Sequence, residues 1–211
     1  MDPEAKQSVA SDGCCEEAWF KLDPASWKQM RDIVHASLES GDENLIVLGN
    51  TQAGSTYARS EHEVDALVSH IMNDLIQRGQ TADGFEVVPE LAVVNIVKGK
   101  YPEERDERWP NNYLYVSVDI HNGYGALKWW TTNIPEDAPA GDISRFVWTS
   151  GTPNPPPFDP ELISDPGNPT YYPREAAIPL ELVREGLEEF CRARTGQRPE
   201  CIPWLLLEQS I

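Results

Sequence analysis

Asp119 and His121 stand two residues apart at the end of YLYVSVDIH, a β-rich run, so the strand period aims both side chains the same way. A carboxylate beside an imidazole is the outline of an acid–base pair or of half a metal site. One His and one carboxylate complete neither, and the pattern reads as the solvent-facing end of a hairpin. His62 and His70 lie on a helical stretch at a spacing of eight, beside Glu61, Glu63 and Asp65. That is a solvated helix face without zinc-ligand spacing. Glu185, Glu188 and Glu189 alternate with Arg184, Arg192 and Arg194 at helical pair distances, which points to surface ion pairing. Gly123 and Gly125 are hairpin glycines. The chain has no Gly-x-Ser-x-Gly, no phosphate-cradling glycine loop and no Cys beside an identifiable base. The residues therefore predict no catalytic centre, no metal and no cofactor.

Four cysteines are too few for a disulfide scaffold of 211 residues. Cys14 and Cys15 are adjacent in a polar stretch, where cysteines rarely bridge each other. Cys191 and Cys201 flank the last turn and are near enough in sequence to approach one another. The expectation is that both stay reduced, Cys191 as a small apolar packer on a helix and Cys201 at the start of a strand.

The elements that must position these residues follow from periodicity. Residues 1–18 read as a disordered tail, and 19–44 as a helical extension opened by Asp23-Pro24. LIVLGN (45–50) is a strand candidate, followed by a turn or loop from Asn50 to Ser55. SEHEVDALVSHIMNDLIQRG (60–79) is the clearest helix, with a Ser60/Glu63 capping box, one apolar stripe and Gly79 as its stop. FEVV and LAVVNIVKG (85–99) read as strands. YLYVSVDI (113–120) and ALKWWTT (126–132) flank an Asn-Gly turn, a strong hairpin signal. ISRFVWTS (143–150) is a further strand. Residues 153–173 hold eight of the 18 prolines and are expected to form an extended surface loop. IPLELVREGLEEFCRARTG (178–196) is a helix with Gly196 as its stop, and CIPWLLL (201–207) a closing strand. The order predicts an α+β fold over 45–211, a mostly antiparallel sheet with helices packed on one face. Trp204, Phe190, Leu187, Val183, Leu67, Ile71 and Val116 are expected in one core.

Net charge is −18, from 35 acidic and 17 basic residues, spread along the chain. A field of that sign favours solubility, repels nucleic acid and anionic membrane, and attracts basic partners. No apolar run reaches the ~20 residues that span a bilayer. The N-terminus carries no secretory pattern, so the expected location is cytoplasmic.

Ile178-Pro179, Val183, Leu187, Glu189-Phe190, Thr195-Gly196, Arg198-Pro199 and Trp204 mark the ending as helix, tight αβ connection and aromatic strand. This ending resembles the first-numbered immunity-protein family of bacterial polymorphic toxin systems. The upstream LYVSV…GYGALKWW (114–130) is similar to that family's central hairpin, and Glu63-Val64-Asp65-Ala66-Leu67 to its first helix. The resemblance covers roughly 55–207; the long N-terminal part, the long Pro-rich loop and Cys191 depart from it. It implies a non-enzymatic α+β protein that neutralises a cognate toxin, often of the nucleic-acid deaminase class, whose nucleic-acid-handling surface is basic.

A second reading is an acidic interaction or adaptor domain unrelated to toxins. A third is an enzyme using Asp119, His121 and loop residues. For a partner surface, composition singles out Trp109, the hairpin tip at His121, Asn122 and Tyr124, and the Pro-rich loop with Phe158, Asp159, Glu161, Asp165, Tyr171 and Tyr172. Rigid aromatics interleaved with carboxylates suit a basic, partly apolar groove. The competing expectation is that Tyr171 and Tyr172 merely pack the loop onto the sheet.

Overall fold

The computed structural model describes residues 45–98, 110–132 and 147–206. All of them lie in one compact unit, Asp42–Ile211. The expected tail at 1–18, the expected helix within 19–44, Trp109 and residues 143–146 fall outside the described set.

Four consecutive strands form an antiparallel meander: β5 (Ala92–Lys98), β6 (Asn112–Asp119), β7 (Tyr124–Thr131) and β8 (Val147–Ser150). On one side the sheet continues through β1 (Leu45–Thr51) to β2 (Gly54–Ala58). On the other it ends with β12 (Trp204–Leu206). A short strand, β11 (Ile178–Pro179), takes over from β8 along the tip end of β7, which completes eight strands. Ser150 seals the gap at that exchange: its buried hydroxyl accepts from Leu127 N at 2.9 Å and donates to Ala176 O at 2.7 Å.

Two helices pack on one face, α1 (Glu61–Asn73) and α2 (Leu180–Ala193). Val64, Leu67, Val68 and Ile71 of α1, with Val183, Leu187 and Phe190 of α2, meet Val94, Val116, Leu127 and Trp129 of the strands in one core. This is the expected α+β architecture. Strand alternation turns Tyr124 and Ala126 to the opposite face. There they join Leu162, Tyr172, Ala176 and Ala177 in a second, smaller core. The Pro-rich segment is thus more than an extended surface loop. It carries its own ladder, β9 (Ile163–Asp165) with β10 (Thr170–Tyr171), and covers part of the sheet.

Three boundaries differ from expectation. The stretch read as a turn at 50–55 is the reversal of the β1–β2 hairpin, with Thr51 opposite Gly54. Helix α1 opens on the capping box as expected, Ser60 with Glu63, but ends at Asn73 and not at Gly79. The reason is tertiary: Ile76 N donates to Glu90 Oε2 at 3.1 Å, Glu90 N donates to Ile76 O at 2.8 Å, and Gln77 Oε1 accepts from Ile120 N. These partners replace the next helical turn. Gly79 instead opens β3 (Gly79–Gln80), which pairs with β4 (Glu86–Val87) as a small separate hairpin.

The third is the end of α2, where Arg194, not Gly196, takes the left-handed capping position at φ 51°. Its guanidinium compensates by donating to Arg59 O at 2.5 Å and to Leu45 O at 3.4 Å. Trp204 is half-buried at the sheet edge and not a fully buried core residue; its indole donates to Pro199 O at 2.6 Å.

Candidate functional site

The hairpin between β6 and β7 is closed by Asp119. Its Oδ1 accepts from His121 N at 3.0 Å and Asn122 N at 3.1 Å, and its Oδ2 accepts from Asn122 Nδ2 at 2.6 Å. Gly123 N donates to Asp119 O, and Gly123 takes φ 78°, a conformation glycine adopts without steric cost. Asp119 is therefore spent on the turn, and its partner in the bonding is the backbone of His121, not the imidazole. Asp119 and His121 form a turn, not an acid–base pair. Leu180 N then donates to Gly123 O, which ties the tip to the start of α2.

The Pro-rich segment is fixed as firmly. Asp159 Oδ1 accepts from Glu161 N at 2.8 Å, across a Glu161 backbone at φ 48°. Asp165 Oδ1 accepts from Gly167 N at 2.9 Å and turns β9 toward β10. Glu161 pairs with Arg78, whose guanidinium also lies over the Tyr171 ring at 5.0 Å. Phe158 meets Tyr124 edge-on with ring centroids 5.8 Å apart, so loop and hairpin touch directly.

Hairpin tip and loop together enclose a cleft of about 260 Å³, into which Arg78, Asp119, His121, Asn122, Asp159 and Glu161 contribute. Five of these come from the two segments that composition singled out. Arg78, with its neighbour Gln77 and Pro89 in the same wall, was not anticipated. It is the lone Lys or Arg between Arg59 and Lys98, which is the signal that marks it.

Not every anticipated residue faces this cleft. Tyr172 is 4% exposed and packs in the second core, where burial and the neighbouring Tyr115 push its phenol well above the ordinary range. Tyr171 stays exposed beside Arg78. Behind Tyr172, Lys128 lies 4.4 Å over the Tyr115 ring, and burial pulls its ammonium below the ordinary value against the attraction of Asp165. Tyr113 continues this aromatic row to Trp130, ring centroids 4.6 Å apart.

The other acidic candidates are structural. Glu188 bridges toward Arg184 and Arg192, and Arg192 reaches Asp65 and Glu61 on α1. Glu189 accepts from the backbone of Glu200 and Cys201, and so fastens the chain that follows α2. His70 pairs with Asp74 at 3.1 Å. Cys191 is buried, Cys201 is exposed, and both are free thiols. Among the described residues no three His, Cys, Asp or Glu side chains gather in a metal-holding group.

A family model described as Immunity protein Imm1 matches residues 52–206. The match runs from the end of β1 through β12, and so takes in both walls of the cleft. No curated protein and no solved structure matches the chain.

Proposed function

The chain belongs to the Imm1 family of immunity proteins, and from that premise we propose that it binds and neutralises a cognate protein toxin without catalysis of its own. The toxin is of the nucleic-acid-modifying, deaminase type, and the chain acts in the cytoplasm of the cell it protects. One observation carries the reading beyond the family. Two segments far apart in sequence, the β6–β7 tip and the Pro-rich loop, converge on a single acidic cleft.

A protein that handles nucleic acid needs a basic groove. A partner of net charge −18 is steered into such a groove, with an on-rate that falls as salt rises. The proposed contact surface holds His121, Asn122, Phe158, Asp159, Glu161 and Tyr171. Asp159 is pre-organised by the turn it closes and Glu161 by its pairing with Arg78, so little ordering entropy is lost on binding. No described helix is long and apolar enough to cross a membrane.

The test is co-expression with the toxin-like product of the adjacent reading frame. Rescue of growth, and co-purification of the two chains at low salt, are the expected results. A toxin that kills equally with and without this chain, and does not co-purify, removes the reading.

A further inference from the structure

Seven large hydrophobic side chains are exposed among the described residues: Ile76, Phe85, Val88, Ile120, Phe158, Tyr171 and Leu206. Singly, such residues need no explanation. Their placement does. Ile120 lies between cleft residues Asp119 and His121, Phe158 precedes Asp159, and Ile76 precedes Gln77. Tyr171 holds Arg78 against its ring. Phe85 and Val88 belong to the β3–β4 hairpin, which springs from Arg78 and returns to Pro89, both in the cleft wall. All but Leu206 therefore adjoin a cleft-wall residue in the chain or, like Phe85 and Tyr171, belong to a segment anchored on one, and Phe85 is 71% exposed.

A charged contact in an interface gains strength when the side chains around it exclude water, and buried aromatic and Arg anchors carry most of the binding energy. The cleft has a definite sign. Asp119, Asp159 and Glu161 line it together with one guanidinium, Arg78, in a chain already strongly acidic. A cleft of about 260 Å³ admits a long side chain but not a folded element. Resting on the toxin-binding reading above, we propose that these exposed side chains and the cleft form one docking surface for the toxin. Its contacting face carries a protruding Arg or Lys that enters the cleft, surrounded by apolar side chains that cover Phe85, Val88 and Ile120. The β3–β4 hairpin is thereby part of the interface, although the sequence gives it no distinguishing mark.

Four variants test this against the purified toxin domain of the adjacent reading frame. His121 is exposed and only its backbone is used in the turn, so its side chain can change without cost to the fold. His121→Lys places a cation in the cleft and is expected to weaken binding, while His121→Glu is expected to strengthen it. Phe85→Ser with Ile120→Ser should raise Kd by roughly tenfold or more, mainly through faster dissociation. Glu181→Lys, on the exposed side of α2, is the charge control and should leave Kd within about twofold once long-range steering is screened by salt. Melting temperatures identify any variant that fails to fold. If the parent binds while both His121 variants and the Phe85/Ile120 variant match it, the docking surface is overturned and the toxin-binding reading stands. A Glu181→Lys variant that alone loses binding moves the interface to α2. A parent that does not bind removes both.

Discussion

Arg78, just past the end of α1, pairs with Glu161 at the foot of the Pro-rich segment, 83 residues further along the chain. The same guanidinium covers the Tyr171 ring from the other end of that segment. One cation thus gathers both ends of β9–β10 against the helix side of the cleft. Both partners are part-exposed, so the attraction is screened by solvent and is worth a few tenths to about 1 kcal/mol.

Arg78→Met and Glu161→Gln should therefore be weakly destabilising, with a coupling of about 0.2–1 kcal/mol in a double-mutant cycle. The larger effect is local. Tyr172 N donates to Leu162 O at 2.8 Å beneath the segment, and its amide should exchange faster in either variant. Unchanged exchange at Tyr172 would show that the second core holds the segment without the ion pair. Reversing Asp159 and Glu161 together is a poor probe of charge alone, because Asp159 closes the turn that Glu161 sits in.

The closing aromatics offer a ranking. Phe190 is 1% exposed at the centre of the core, and Phe190→Ala should cost about 3–5 kcal/mol. Trp204 is half-buried, rests against Arg198 at 5.8 Å and has solvent on one side. Trp204→Ala should cost about half as much, since less area returns to water. Urea unfolding of the two variants decides it, and the reverse order would make Trp204 the true core residue.

What the sequence makes legible is whatever local chemistry decides. Ser60 and Glu63 announce the start of α1 because the capping box satisfies its own backbone, and Asn122-Gly123 announces the β6–β7 turn because Gly123 takes its φ of 78° without steric cost. The end of α1 is not legible, because Glu90 lies far along the chain and takes Ile76 from the helix. The β1–β2 hairpin is hidden for another reason: GSTYA is short and polar, its Gly54 at φ 122°, and only pairing with β1 makes it a strand.

The cleft divides the same way. Its carboxylates and hairpin tip stand out by composition. Arg78, with Gln77 and Pro89, enters it only through long-range contacts, and Tyr172 leaves the surface because Ala126 offers it a packing site on the sheet.

Gly196 is a separate test of close packing. It holds φ 71°, and a Cβ there would stand 2.7 Å from Asn112 Cγ. Asn112 cannot swing away, because its side chain accepts from Ile96 N at 2.8 Å and donates to Ile96 O at 3.0 Å. Gly196→Ala should cost about 2–4 kcal/mol from backbone and contact together. Gly84→Ala, at φ 82° with open space around it, should cost only about 1 kcal/mol. Equal costs in chemical denaturation would mean that Asn112 yields.

Cys191 gives the fold a pH dependence with a definite sign. Its thiol is buried, and burial pushes it up to about 12 despite the attraction of Arg192 and Arg194. The unfolded chain releases the same proton near the ordinary thiol value. Between those two values the folded state keeps a proton that the unfolded state has lost, so stability falls as pH rises. The contribution is whole below about pH 8.5 and is progressively lost toward the folded value. Cys191→Ala removes this titration and leaves that of Cys201 in place, so the difference between parent and variant isolates it. Urea midpoints taken from about pH 7 to about pH 10.5 should show the parent's advantage over the variant shrinking steadily. A difference that stays level across that range would mean that Cys191 ionises as freely in the folded chain as in the unfolded one, and that the packing of α2 against α1 admits water at that point.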